Sequence, residues 1–361
     1  MANIPETASL GRSSQAVTTP FWDALLTGGI SIVGMAAVLA YASLFGAPIA
    51  FTKSDWITLS ILINSTHFMA SYRLLYVSRA EILAHRWSTL FVPAALIAVL
   101  VLAALSPMRD AVYQELLILS SIYLAWHYTG QAWGMVASFG QVTGIRWSPR
   151  ERFLIRFGMR TLLVLHVLYA LAGRFPPANW IAPATWIQIY GWTFYGVCGV
   201  AVISLVAGAL GFLSAYQRTG KLPVRVVLPW AALYLWYPFW YFVPNGFLFV
   251  QLSHALQYLA FPLRVEVNRY AQEAPRTVTQ KRIRALVAYL ALVVAGSTVL
   301  FGPILAARWI GNGWYSTPDA RAIFVAFTNC VAIHHYFIDG AVWKLSNPKV
   351  RRELFSHLGE V

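Results

Sequence analysis

Long apolar runs of about twenty residues, separated by short polar segments, constrain this chain more than any other feature. A helix needs about 20 apolar residues to cross the hydrocarbon core of a bilayer. Ten such windows can be drawn, at residues 24–47, 56–77, 88–106, 112–138, 155–174, 190–215, 225–243, 246–263, 284–305 and 321–343. The runs are continuous rather than alternating, which disfavours a membrane β-barrel. The sequence therefore predicts an all-α, polytopic membrane helix bundle with about ten transmembrane helices.

The charge content of the chain argues against a soluble protein. Charged residues make up 11% of the sequence and hydrophobic residues 58%, whereas soluble domains carry about 25% charged residues. The net charge of +14 resides mainly in the segments between the apolar windows, so a nucleic-acid partner is not expected. Both cysteines, Cys198 and Cys330, fall inside apolar windows, which argues against a disulfide framework or a zinc ribbon.

The basic residues set the predicted orientation. With a cytoplasmic N-terminus, twenty of the 27 lysines and arginines lie in cytoplasmic segments, as the positive-inside rule expects. We therefore predict that both termini are cytoplasmic, with a polar tail at 1–20, a transmembrane domain at 21–345 and a basic tail at 346–361. The basic loops would contact anionic lipids. An alternative with nine spans merges or demotes one of the windows 225–243 and 246–263.

Six of the eight histidines lie inside the apolar windows. Ionisable side chains are costly in hydrocarbon, so they tend to face the interior of a bundle and to mark function. In four windows that run from outside to inside, a histidine lies about 8 to 15 residues from the outer end, which places all four within about 10 Å along the membrane normal. This shared depth predicts a metal site at the bilayer midplane. Its candidate ligands are His67, His127, His254, His334, His335 and Asp339.

Polar residues three or four positions from these histidines lie on the same helix faces. They can fix an imidazole tautomer through its second nitrogen or contact the substrate. These candidates are Asn64, Arg73, Gln131, Gln251, Gln257 and Tyr258. Arg73 could hold an anionic head group or a haem propionate, or its side chain could extend to the cytoplasmic interface. His166 has only apolar and tyrosine neighbours, which favours a structural hydrogen bond between helices.

Imidazole with a carboxylate suits iron, copper or zinc, and an apolar midplane site suits a lipophilic substrate. We therefore predict an oxidoreductase, a non-haem iron oxygenase with one or two iron ions that is served by an electron donor. Two alternatives remain open. One is a haem-binding electron-transfer or haem-modifying protein with two axial histidines. The other is a proton- or metal-coupled transporter that uses histidine and aspartate as relay groups.

The His-Phe pair at 67–68 and the His-x-x-x-Asp spacing at 335–339 resemble motifs of the Brp/Blh family, bacterial membrane enzymes that cleave carotene with iron and oxygen. The resemblance covers short pieces of two or three helices. It implies a multi-histidine iron centre inside the bundle. We predict that the protein is located in a bacterial inner (cytoplasmic) membrane. The ten windows and the adjacent pair His334 and His335 depart from the family pattern, so the family's substrate is not carried over.

Overall fold

The computed structural model describes residues 16–46, 52–172, 182–243, 246–302, 317–343 and 347–358. These ranges contain helices and no strand, which confirms the all-α class. Most of the predicted N-terminal tail, at residues 1–15, and parts of the predicted C-terminal tail lie outside the described residues.

Ten long helices follow one another along the described chain, and each overlaps one of the predicted windows. They are α1 Pro20–Phe45, α2 at residues 53–75, α3 Trp87–Ala104, α4 Arg109–Val142, α5 Pro149–Leu171, α6 Pro183–Thr219, α7 Val224–Phe242, α8 Gly246–Glu273, α9 Val278–Phe301 and α10 Pro318–Val342. The windows at 225–243 and 246–263 thus form two separate helices, α7 and α8.

Six of these helices are long and apolar enough to cross a membrane, namely α1, α3, α5, α6, α9 and α10. The other four helices, α2, α4, α7 and α8, are not apolar enough to count as candidate spans by the same measure. Three of those four, α2, α4 and α8, carry most of the predicted site residues. Their mean hydropathy is lower because one face of each helix is polar, as expected for helices that surround a polar site.

The packing of α5 on α6 is the most extensive helix pair in the described structure. Its cytoplasmic end, in the predicted orientation, is fixed by a capping box in which Ser148 and Glu151 bond each other's backbone N–H groups. The buried Glu151 carboxylate also accepts hydrogen bonds from Arg218 of α6. The Glu151 carboxylate therefore caps the first turn of α5 and also links α5 to α6.

Two glycines allow helices to approach more closely than a side chain would permit. A Cβ atom on Gly28 of α1 would lie 2.6 Å from the backbone oxygen of Leu228 in α7. A Cβ atom on Gly296 of α9 would lie 2.9 Å from Ser65 of α2. Ser65 ends a π-helical turn, Ser60–Ser65, immediately before the segment that carries His67. Such π turns are frequent at functional sites.

Replacing Gly28 with alanine is expected to destabilise the protein by about 1–3 kcal/mol, because the new methyl group meets backbone that cannot rotate away. The measurement is thermal unfolding in mild detergent. Gly34→Ala on the same helix is the matched control, since a Cβ atom there meets no described atom within 4 Å. Equal melting temperatures for the two variants would contradict this account of the α1–α7 contact.

The two ends of the described chain meet beside α8. The side-chain amide of Asn268 donates to the backbone oxygens of Glu353 and Leu354, at 2.9 Å each, in the C-terminal helix Pro348–Phe355. His357 Nε2 lies 2.8 Å from the backbone oxygen of Ala16. Part of each predicted tail is therefore packed against the bundle.

Candidate metal centre

Four side chains from three helices converge in the interior of the bundle. His67 of α2, His127 of α4, and His335 and Asp339 of α10 each offer one ligand atom, and these atoms all lie within 4.8 Å of one another. All four residues are buried. Residues 335 and 339 are one helical turn apart, so a single face of α10 supplies both an imidazole and a carboxylate.

His254 of α8 joins this group. Its Nε2 atom lies 2.9 Å from Nε2 of His127, and its ring centroid lies 5.0 Å from that of His67. We call His67, His127, His254, His335 and Asp339 the His/Asp cluster. The cluster draws on four helices that are far apart in sequence, and it can hold a metal ion.

The imidazole nitrogens of the cluster provide the test of whether a metal fits. Both ring nitrogens of His67 and of His335, and Nδ1 of His254, are buried without a hydrogen-bond partner among the described residues. A buried polar atom without a partner costs about 1–3 kcal/mol, so five such nitrogens at one point are unfavourable in a purely structural core. Each imidazole can offer a metal ion one nitrogen lone pair, so a bound metal would supply a partner to one nitrogen of each ring. The donor set of imidazoles and one carboxylate suits iron, copper or zinc.

Hydrogen bonds orient the carboxylate of Asp339. Ser71 Oγ donates to Oδ1 at 2.6 Å, and the Tyr258 hydroxyl donates to the same oxygen at 2.9 Å. Tyr258 in turn accepts from Trp343 Nε1 at 2.7 Å. Oδ2 then faces the histidines, 3.5 Å from Nε2 of His335. One carboxylate oxygen is thus held by hydroxyl groups while the other is directed at the cluster.

Tyr258→Phe is expected to weaken metal binding by about 10- to 100-fold, because groups that orient a ligand typically have effects of this size. The measurement is competition between the purified protein and a chelator of known affinity. Tyr72→Phe is a control on α2, since the Tyr72 hydroxyl contacts His334 outside the cluster. Equal affinities for the Tyr258→Phe and unsubstituted proteins would show that Asp339 needs no such support.

No known protein family, curated protein or solved structure matches this chain. The assignment of a function therefore rests on the geometry of the site.

The structure does not bring two of the predicted site histidines to the cluster. His334 points away from it, with Nδ1 2.8 Å from the Tyr72 hydroxyl and Nε2 2.8 Å from the backbone oxygen of Ser88. Adjacent helical residues differ by about 100° around the axis, so His334 and His335 cannot both face one point. His166 lies one layer further out, with Nδ1 3.3 Å from the Tyr237 hydroxyl, in the structural role predicted for it.

Two of the predicted polar neighbours, Gln131 and Gln257, form hydrogen bonds to the backbone of other helices. Gln131 donates to the backbone oxygen of His254 at 3.1 Å, which ties α4 to α8 beside the cluster. Gln257 donates to the backbone oxygen of Thr27 at 2.7 Å and so links α8 to α1.

Arg73 lies outside the cluster. It forms an ion pair with Glu266 at 2.9 Å, and Glu266 also pairs with Arg284. Its guanidinium group is therefore engaged by protein rather than directed at a haem propionate.

Two side chains near the site were missed in the sequence analysis. Trp343 supports Tyr258, and its position four residues after Asp339 is a signal that could have revealed it. Tyr336 packs beside His127, with ring centroids 4.8 Å apart and the rings tilted by 31°. Tyr336 directly follows His335 and so lies on a different part of the α10 surface. Residue spacing therefore did not indicate that Tyr336 is near the cluster.

Cavities reach the cluster from two sides. One, of about 280 Å³, contacts His67 and His254 and is lined by polar groups that include Asn64 and Gln251. The other, of about 220 Å³, contacts His127 and Asp339 and lies between α4 and α10. The predicted contacts Asn64 and Gln251 thus lie in a cavity beside the cluster.

Proposed function

We propose that this chain is an integral membrane non-haem iron oxygenase that acts on a lipophilic substrate, with iron held by the His/Asp cluster. The observation that carries this proposal is the convergence of four imidazoles and a carboxylate, with five buried ring nitrogens that have no partner among the described residues. A site of this kind inside a bundle of membrane-like helices favours a substrate that dissolves in the bilayer.

The proposed topology has ten spans with both termini in the cytoplasm of a bacterium, across its inner membrane. The contact between His357 and Ala16 supports it. Segments that touch outside the first and last helices lie on the same side of a membrane, and only an even number of crossings returns the chain to that side. Ten spans meet this condition and nine do not.

The arrangement of the rings favours non-haem iron over haem. A haem with two axial histidines needs a flat space between the two imidazoles. Here the Nε2 atoms of His127 and His254 face each other at 2.9 Å, and the His67 and His335 ring centroids lie 4.3 Å apart. These short separations leave no room for a porphyrin between the histidines of the cluster.

Iron bound by this ligand set would activate molecular oxygen beside the substrate. Ser71 and Tyr258 hold the carboxylate of Asp339 toward the ligands. The Tyr336 ring packs on His127 and limits its rotation. If both oxygen atoms enter the substrate, no further reductant is needed. If one atom enters and the other leaves as water, a donor must supply two electrons.

The test combines metal analysis with an optical spectrum on protein purified in mild detergent without chelators. One or two irons per chain with no Soret band is the expected result. Oxygen uptake on addition of a neutral-lipid extract, with loss of uptake in a His67→Ala, His335→Ala double variant, would then establish the oxygenase.

Other outcomes of this test would overturn the proposal. A strong Soret band would reassign the histidines to haem. Zinc or copper at one equivalent, with iron failing to replace it, would exclude iron chemistry. Protein that takes up no metal after anaerobic reconstitution would leave a structural polar core or a transporter.

A further inference from the structure

The cavity between α4 and α10 ends on the metal ligands. Its lining includes His127 and Asp339 of the cluster, and Gly130, Gly134 and Gly340 from the same two helices. Any molecule in this cavity would therefore lie directly against the His/Asp cluster. Because the remaining lining is mainly aromatic and aliphatic, including Phe261 and Trp343, the cavity suits an apolar occupant.

The three glycines create the space of this cavity. A Cβ atom at Gly130, Gly134 or Gly340 would meet no described atom within 4 Å. Glycine destabilises a helix interior relative to alanine, and here no close helix contact compensates for it. Gly28 and Gly296 differ, because there a Cβ atom would meet a neighbouring helix. The glycines at the cavity thus provide room for a molecule rather than for another helix.

The cavity opens sideways, on the outer surface of the bundle. Gly130 and Gly340 are exposed, and the side chain of Trp126 at its edge is 71% exposed. Trp126 and Gly130 lie within one turn of His127 in the middle of α4, whereas Gly340 lies in the last turn of α10. The opening is therefore beside the cluster, and in the proposed topology its α4 side lies within the bilayer.

The described lining carries no lysine or arginine. Its ionisable groups are His127 and Asp339 of the cluster and the phenols of Tyr258 and Tyr336. An anionic head group would lose its hydration in this mainly apolar lining without pairing with a lysine or arginine, so its transfer into the cavity is unfavourable. An uncharged molecule meets no such obstacle.

We infer that an uncharged, elongated apolar molecule passes from the bilayer through the opening between α4 and α10 and presents a carbon chain to the His/Asp cluster. Its identity as substrate rests on the proposed function. The glycines leave the cavity wide, so a side chain at Gly134 would narrow the space beside the cluster.

The experiment uses the full chain in lipid nanodiscs and two photoreactive probes of equal length, a diazirine-bearing fatty alcohol and the corresponding fatty acid at a pH where it is ionised. Cross-linked peptides are mapped by mass spectrometry. The expected result is labelling by the alcohol of peptides around Trp126–Met135 and Gly340–Trp343. Labelling by the ionised acid should be about tenfold lower, which corresponds to about 1.4 kcal/mol in binding free energy.

Gly134→Leu fills the cavity and is expected to reduce labelling by the alcohol by about tenfold. Gly199→Leu is the matched control, because Gly199 is an exposed glycine of α6 whose Cβ atom likewise meets nothing described within 4 Å. Gly134→Ala is a milder second variant in case the leucine disturbs folding, and it should give an intermediate loss.

The outcomes separate this inference from the proposed function. Equal labelling of the Gly134→Leu and Gly199→Leu proteins would overturn the inference, as would equal labelling by the two probes. Metal content is measured on the same samples. Probe labelling that responds to Gly134 in a protein that takes up no iron would retain the lipid site and reject the oxygenase.

Discussion

Alanine in place of His335 is expected to abolish stoichiometric metal binding, whereas alanine in place of the adjacent His334 leaves it intact. His335 lies in the cluster with both ring nitrogens lacking a partner among the described residues. His334 is bonded on both nitrogens to protein groups outside it. Because groups that only orient a ligand already change affinity by about 10- to 100-fold, loss of a ligand should exceed about 100-fold.

The measurement is metal per chain by mass spectrometry after equilibration with a weak chelator. The neighbouring positions of His334 and His335 make them an unusually close control pair, since both substitutions remove a buried imidazole from the same helix turn. Equal loss of metal from both variants would indicate a general loss of folding. Full retention by His335→Ala would remove that residue from the site.

Removal of the metal is expected to lower thermal stability substantially. A ligand that binds only the folded state contributes about 4 kcal/mol when it is present at about 1,000 times its dissociation constant, which for a chain of this length corresponds to a decrease in melting temperature of about 5 °C. This free energy includes the cost of the metal-free cluster, in which imidazole nitrogens are buried without partners among the described residues. The comparison is thermal unfolding before and after treatment with a strong chelator, with restoration by added iron.

A His67→Leu, His335→Leu double variant serves as the control for this effect. It removes four of the unpartnered nitrogens and replaces them with apolar groups, so its melting temperature should not respond to chelator or iron. The contrary result, an equal response in the double variant, would mean that the metal acts at another site.

The helical class and the convergence of distant histidines could be predicted from the sequence. Counting residues from the ends of the apolar windows placed His67, His127 and His254 at one depth, and the structure brings these three side chains together. Depth along a helix follows from the fixed rise per residue, so an error of a few residues in a window boundary changes the predicted depth only slightly.

Rotation around a helix was harder to predict. The pair His334 and His335 lies at nearly one depth, and only the packing of α10 decides which imidazole faces inward. Ion-pair partners on other helices were equally hard to predict from the sequence. Arg73 is paired with Glu266, a residue 193 positions away, and no local pattern indicates that contact. The same polar faces that formed the site also lowered the hydropathy of α2, α4 and α8 below the level of a simple membrane span.

The contact between Ser71 and Asp339 joins residues separated by 268 positions. In the proposed topology α2 and α4 enter the membrane before α10 during synthesis, so their histidines lack the Asp339 carboxylate until α10 is inserted. A chain truncated before α10 therefore lacks two of the five cluster residues, and occupancy of the centre would report that synthesis and insertion are complete.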